Sequence, residues 1–78
     1  MNEVSKIELL GEYRIKVSFK DGYSKDIDFL PFIGGGISEK LKNPEYFSKA
    51  EIESGGGITW PNGFDFCPNF LKQYAEDL

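Results

Sequence analysis

Three aspartate carboxylates are the first candidates for a catalytic or metal-binding site. Asp26 and Asp28 are two positions apart, so a strand would present both on one face, and Asp65 could join them if two hairpins lay side by side. Grouped carboxylates suit a hard metal ion or the acid and base of a glycosidase. An ordinary solvated strand face also explains them, and it is the interpretation that the sequence favours.

Two triple-glycine runs, at residues 34–36 and 55–57, are the second candidate. Glycine lets backbone N–H groups approach a phosphate closely, but neither run has the Gly-Lys-Ser/Thr or G-x-G-x-x-G spacing of a nucleotide-binding loop. The second run leads into a predicted strand, which has no helix N-terminus to bind an anion. Flexible connections or a bulge at the start of a strand are therefore favoured over a nucleotide site.

The 78 residues include no histidine and one cysteine, Cys67. Catalysis by serine–histidine or cysteine–histidine groups is thereby excluded, as are zinc and haem bound through histidine. Cys67 cannot form a disulfide within the chain, which suits a reducing compartment, and it is interpreted as a small buried side chain. We expect no catalytic residue, no cofactor and no metal.

Thirteen acidic and nine basic residues give a net charge of −4, and the basic residues are scattered. This argues against direct binding to nucleic acid and would suit a basic protein partner, although solubility alone also explains it. The start M-N-E-V-S-K lacks the basic patch of a signal peptide, and no apolar run reaches the roughly 18 residues of a membrane span. We expect a cytoplasmic protein that does not enter a membrane.

The length predicts one domain, at residues 1–78. Residues 13–20 alternate apolar and polar side chains, which is typical of a strand, and a second strand follows. A three-residue loop, K-D-G at 20–22, pairs Ile15 with Ile27 and places every large apolar side chain on one face.

An N-terminal strand is predicted to complete a three-stranded antiparallel meander. Across a turn at residues 10–12, Ile7 would pair with Ile15 and Leu9 with Tyr13. After the meander, Asn43-Pro44 ends one short helical turn and can begin another, and A-E-I-E-S at residues 50–54 predicts a short strand.

W-P-N-G-F at residues 60–64 predicts a second hairpin that repeats the loop of F-K-D-G-Y at 19–23. Pro68 can then open a helix with one buried stripe. The predicted fold is α+β: the meander, a short helical middle, the second β-hairpin and a C-terminal helix packed on the sheet. The predicted stripe consists of Phe70, Leu71, Tyr74, Ala75 and Leu78.

Trp60, Asn62 and Asp65 are the candidate partner-binding residues. Trp60 beside a tight turn is either a core residue or an interface anchor. Asn62 most simply serves the turn, and Asp65 could accept backbone N–H bonds near the start of the helix at Pro68. Whether Trp60 and Asp65 face the core or a partner stays open.

The order W-P-N-G-F-D-F-x-P, preceded by Y-R-I-K-V-x-F-x-D-G and L-K-N-P-E-Y-F, resembles a family of short bacterial domains of unknown function with the signature W-x-N-G-x-D-x-x-P. The resemblance covers nearly the whole chain. It implies an α+β fold, no established catalytic activity, and members encoded beside a small protein in toxin–antitoxin-like arrangements or fused to a DNA-binding helical domain. We expect this chain to differ from the fused form, because it ends soon after its predicted last helix. The signature residues here are Trp60, Asn62, Gly63, Asp65 and Pro68.

The function predicted from these features is a non-enzymatic protein-interaction module. The resemblance implies that it is the acidic, antitoxin-like or regulatory member of a two-protein pair, with a small basic protein as partner. The alternative is a small-ligand or metal-binding domain that uses Asp26, Asp28, Asp65 and the glycine-rich loops. Self-association through an exposed strand edge, giving a homo-oligomer, is compatible with the first hypothesis.

Overall fold

The computed structural model describes residues 2–78, so Met1 of the predicted domain lies outside the described residues. The chain forms two three-stranded antiparallel sheets and a C-terminal helix, which confirms the predicted α+β class. The strands are β1 (Val4–Gly11), β2 (Arg14–Phe19), β3 (Ser24–Asp28), β4 (Glu51–Ile52), β5 (Ile58–Thr59) and β6 (Asp65–Phe66). The helices are two 3₁₀ helices, Leu30–Phe32 and Gly36–Lys42, then α1 (Pro44–Phe47) and α2 (Pro68–Glu76).

The β2–β3 hairpin has the predicted register. Ile15 faces Ile27, and the Phe19 N–H donates to the Tyr23 carbonyl at 2.8 Å. Gly22 closes the loop with φ 95°, a left-handed conformation in which a side chain is strained. The three-residue loop therefore places the apolar face of both strands toward the core.

The predicted β1–β2 register is wrong by two residues. Leu9 pairs with Ile15, because β1 continues to Gly11 and the turn contains only Glu12 and Tyr13. Both turn residues are left-handed, with φ 53° and 66°, as a type I′ turn requires. Glutamate and tyrosine rarely adopt this conformation, so the sequence pattern did not favour so tight a turn.

A β-bulge near the start of β1 changes which side chains face inward. The register shifts between Val4 and Lys6, so Val4 is buried although the alternation from Ile7 would place it outside. A bulge adds one residue to one strand and reverses the alternation beyond it. The first sheet consequently contributes Val4 to the core.

The second hairpin confirms the predicted loop of W-P-N-G-F. The Trp60 N–H donates to the Phe64 carbonyl at 2.9 Å, and the Gly63 N–H donates to the Trp60 carbonyl at 2.9 Å. Gly63 has φ 92°, matching Gly22 in the first hairpin. Both hairpins therefore close through the same three-residue loop with a left-handed glycine.

The glycine run at residues 55–57 is the junction between the two sheets. The Gly56 carbonyl accepts the Val4 N–H at 2.8 Å, which ties β1 to the β4–β5 turn. A Cβ atom on Gly57 would overlap the Phe66 carbonyl oxygen and lie 2.9 Å from a Glu53 carboxylate oxygen. Close backbone approach is thus the reason for glycine here.

The buried apolar side chains of both sheets and of the helices form one core cluster. Phe29, which follows β3, lies at its centre and contacts four other rings at centroid distances of 5.1–6.3 Å. Such aromatic pairs let a short chain bury a large apolar area with few residues. The four rings belong to Phe32, Phe47, Trp60 and Phe66.

Helix α2 covers the core with a narrower stripe than predicted. Leu71 and Ala75 are buried, but Phe70 is 43% exposed and Leu78 is 56% exposed beyond the helix end. Lys72 shares the buried face, so that face is rotated away from Phe70. No helix within residues 2–78 has the length and apolar character needed to cross a membrane.

Alanine substitutions at the sheet junction test whether glycine is needed there for close backbone approach or for chain flexibility. We expect Gly57→Ala to lower the free energy of unfolding by about 3 kcal/mol, because the new methyl group has no space. Gly55→Ala is the matched control, since no atom lies within 4 Å of its Cβ position, and should cost less than about 1 kcal/mol. Urea unfolding measures both, and equal effects would contradict the close-approach explanation.

Candidate functional site

The carboxylates proposed for metal chemistry are not brought together. Asp26 lies opposite Lys16 and Asp28 opposite Arg14 on the first sheet, whereas Asp65 lies on the second sheet. Within residues 2–78, no three Asp, Glu, Cys or His side chains form a group that could hold a metal ion. The geometry therefore lends no support to a joint site of these three carboxylates.

The first glycine run already binds a carboxylate of its own chain. The Gly35 N–H donates to Glu39 at 2.9 Å, and the Gly34 N–H donates to the Ser38 hydroxyl at 3.0 Å. The bond from Gly35, followed by the charge of Lys42, lowers the pKa of the Glu39 carboxyl. An incoming phosphate would have to displace these groups before it could use the same N–H donors.

We therefore expect no ligand-induced stabilisation by nucleotides or divalent ions. A ligand at a hundred times its dissociation constant would add about 2.7 kcal/mol, which thermal unfolding detects easily. The melting temperature with millimolar ATP, Mg²⁺ or Mn²⁺ should match that of the protein alone. A rise with Mg²⁺ that disappears in the Asp26→Asn/Asp28→Asn variant would contradict this and establish a metal site.

Trp60 occupies the core. Its side chain is 2% exposed, and its Nε1–H donates to the Phe47 carbonyl at 2.9 Å. A buried indole usually finds such a partner, so both the apolar ring and its polar atom are satisfied inside the fold. Of the two roles left open by the sequence, burial supports the core role, and a partner could not reach the indole without opening the core.

Asn62 holds its own turn and also a distant helix. Its Oδ1 accepts the Phe64 N–H at 3.1 Å, which is the predicted turn role. Its Nδ2 donates to the Ile37 carbonyl at 2.8 Å, which joins the second hairpin to the 3₁₀ helix Gly36–Lys42. This second bond spans 25 residues, so no local pattern could indicate it.

Asp65 is exposed on β6. Its carboxylate makes no hydrogen bond within residues 2–78, and helix α2 begins after Cys67 without a side-chain cap. The bond to the helix start that the sequence allowed is therefore not formed, because alternation along β6 turns Asp65 away from buried Phe66. The exposed carboxylate stays a candidate for partner binding. The predicted burial of Cys67 is wrong, because this residue is exposed.

Lys72 is a buried cation that the sequence pattern did not reveal. Only 8% of the residue is exposed, and its Nζ lies 2.5 Å from an Asp21 carboxylate oxygen. The ammonium also sits over the rings of Phe19 and Tyr23, at 5.3 and 5.2 Å from their centroids. Helix α2 is thereby anchored to the loop of the first hairpin.

The ion pair changes the pKa of both groups. The hydrogen bond from Lys72, then the Tyr23 N–H at 2.9 Å, lowers the pKa of Asp21. The hydrogen bond to Asp21 raises the pKa of Lys72 against the opposing effect of burial. Stability from the carboxylate is complete above its unfolded pKa of about 3.9 and is lost as the pH falls through the lower folded pKa.

The difference in melting temperature between the Asp21→Asn variant and the wild type should reveal this pH dependence. The variant keeps an oxygen for the Tyr23 N–H but removes the charge that pairs with Lys72. We expect a lower melting temperature than wild type at pH 7, and a difference that shrinks as the pH falls below about 4. Exposed Asp65→Asn is the control and should give no such trend. A difference that is the same at pH 2.5 and pH 7 would contradict the ion-pair explanation.

Three rings form an exposed cluster that we term the aromatic patch: Phe32, Phe70 and Tyr74. Their centroids are 5.1–5.9 Å apart. Phe70 is 43% exposed, the other two are half-buried, and Leu30 on the same 3₁₀ helix as Phe32 is also exposed. The aromatic patch is thus continuous with the core below and open to solvent above.

The charged groups on the elements around the aromatic patch are mainly acidic. Asp28 precedes the 3₁₀ helix, Asp65 lies on β6, and Glu76 and Asp77 end α2. Lys25 on β3 and Lys72 on α2 are the basic residues on these elements, and the Lys72 ammonium is paired with Asp21. An apolar surface with acidic residues on the surrounding elements is chemically suited to contact with a basic, partly apolar surface.

Comparison with known proteins gives a family match. The model of a family described as "Protein of unknown function (DUF2442)" matches residues 4–77. No curated protein and no solved structure matches the chain.

Proposed function

The chain belongs to the DUF2442 family of proteins of unknown function, and we propose that this member is a non-enzymatic protein-interaction module. Its partner would be a small basic protein, and the chain would be the acidic, antitoxin-like or regulatory member of the pair. As part of the same proposal, the protein is bacterial and acts in the cytoplasm. W-x-N-G-x-D-x-x-P is proposed to be the signature of its family.

Exposure of Phe70 is the observation that carries the proposal. Its ring stacks on Phe66 below and on Tyr74 beside it, yet 43% of the residue faces solvent. Large apolar groups left in water cost roughly 25 cal/mol for each Å² that a partner could cover. Aromatic residues on a rigid helix are typical anchors of protein interfaces.

The acidic surroundings indicate the chemistry of the partner. Asp28, Asp65, Glu76 and Asp77 would attract a positively charged surface and accelerate its association. The aromatic patch would then supply most of the affinity, because exposed charge pairs contribute little by themselves. Asn62 would act indirectly, since its bonds fix the turn that leads into β6.

The test uses the product of the gene beside the one for this chain. Co-expressed with the full chain, it should form a complex whose affinity weakens at least about thirtyfold in Phe70→Ala, the effect of removing a 2 kcal/mol anchor. Leu9→Ala is the matched control, because Leu9 is 45% exposed on β1 and outside the aromatic patch. Isothermal titration measures both variants after circular dichroism has established that they are folded.

Equal binding by the Phe70→Ala and wild-type chains would overturn the aromatic patch as the contact surface. Absence of binding by any adjacent gene product at about 100 µM would overturn the pair itself. Added salt should slow association of the wild-type pair, since the charged groups act at long range.

A further inference from the structure

A small pocket lies between the β1–β2 turn and α1. Its volume is about 120 Å³, and for comparison an engineered cavity of roughly 150 Å³ holds benzene. The pocket therefore has room for one small organic group. The residues that line it come from the end of β1, from the turn and from α1, and they include Leu9, Glu12, Tyr13 and Phe47.

Leu9 gives the pocket an apolar wall that is open to solvent. It pairs with Ile15, and residues directly across an antiparallel pair share a face, so Leu9 lies on the core side of β1. Ile15 is fully buried, yet Leu9 is 45% exposed. Within residues 2–78, the core thus does not extend over this end of the first sheet.

Two aromatic rings also line the pocket. The centroids of Tyr13 and Phe47 are 5.4 Å apart and the ring planes meet at 82°, so the rings form a corner rather than a stack. The Tyr13 hydroxyl donates to the Lys42 carbonyl, which fixes this ring before a ligand arrives. The faces of aromatic rings attract cations, because they carry partial negative charge.

Glu12 is the charged residue of this lining among residues 2–78. The ion pairs of the described chain use other carboxylates, those of Glu3, Glu39 and Asp21. An unpaired carboxylate next to apolar and aromatic groups is complementary to a cation that carries an apolar body.

The backbone of the turn supports a role beyond folding. Glu12 and Tyr13 are both left-handed, with φ 53° and 66°, in a turn that asparagine and glycine form with less strain. Non-glycine residues in this conformation cluster at functional sites, where the surrounding structure holds them. Here the two strained residues are those that bring the carboxylate and one ring to the pocket.

We propose that this pocket binds a small, free organic ammonium ion. Its alkyl body would lie against Leu9 and Phe47, and its charge would lie near the Glu12 carboxylate and the Tyr13 ring. A neutral ligand would lose the charge contact, and an anion would be repelled by Glu12. The pocket would therefore select its ligand by charge as well as by size.

Ammonium binding and partner binding can fail independently. The aromatic patch lies on α2 and the 3₁₀ helix Leu30–Phe32, away from the elements that line the pocket. Leu9→Ala should weaken ammonium binding about threefold, through lost apolar contact, and leave partner binding unchanged. Weakened partner binding in this variant would indicate that a side chain of the partner occupies the pocket, and would overturn a free ion as its ligand.

Isopentylammonium is the probe, because isopentanol and isovalerate have the same branched carbon skeleton with a neutral and a negative head group. In an NMR titration of the full chain, it should shift the backbone amides of Gly11, Glu12 and Ser48 with a dissociation constant of about 1 mM. Isopentanol should bind about fivefold more weakly, and isovalerate more weakly still. Shifts that do not saturate by about 20 mM, or equal affinity for isopentanol, would overturn the proposal.

Substitutions of Glu12 separate ligand binding from the turn. Glu12→Gln removes the charge at nearly constant size, so it should weaken isopentylammonium binding about fivefold without changing the affinity for isopentanol. Glu12→Asn relieves the left-handed strain, so it should raise the melting temperature by about 3 °C and yet weaken binding as much as Glu12→Gln. A purely structural role for Glu12 predicts no loss of binding in the more stable variant.

Asp26→Asn is the matched control, because it removes the same charge from an exposed residue of β3 that does not line the pocket. It should bind isopentylammonium like the wild type. Unchanged affinity in Glu12→Gln, or an equal loss in Asp26→Asn, would overturn the contact with Glu12 and with it the proposal. Circular dichroism establishes that each variant is folded.

Discussion

Burial of Trp60 is the constraint on which the rest of the structure depends. Its indole contacts the rings of Phe29, Phe47 and Phe66, which come from the end of the first sheet, from α1 and from the second sheet. Its one polar atom donates to the Phe47 carbonyl. In so short a chain, three parts of the fold meet on one side chain because there are few residues with which to fill a core.

The two hairpins have the same type of turn, but each turn is bonded to a different helix. Asp21 and Asn62 occupy the same position in the two loops, and each binds the N–H two residues later. The remaining polar atom then differs: the second carboxylate oxygen of Asp21 binds the Lys72 ammonium, and the amide nitrogen of Asn62 binds the Ile37 carbonyl. The choice between aspartate and asparagine thus determines whether the loop attracts a cation or a carbonyl group.

The sequence predicted the parts of the fold that depend on local geometry. Glycine at the left-handed position determined both three-residue loops, and apolar alternation determined the β2–β3 register, as at Ile15 and Ile27. It failed for β1, because left-handed Glu12 and Tyr13 make a tighter turn than their residue types favour. The two-residue error kept Ile7 and Leu9 on the same face as Ile15 and Val17, so apolar alternation alone could not detect it.

Features that join distant segments could not be predicted in the same way. The Lys72–Asp21 pair spans 51 residues, and neither residue is unusual in its local pattern. Yet this pair helps to determine the surface: because Lys72 occupies the buried side of α2, Phe70 lies outside it and becomes part of the aromatic patch. A helix with leucine at this position could bury the same stripe without an ion pair, since the Asp21 side chain is 49% exposed and partly exposed pairs add little stability by themselves. The pair therefore fixes which face of α2 is exposed, and the exposure of Phe70 follows from that orientation.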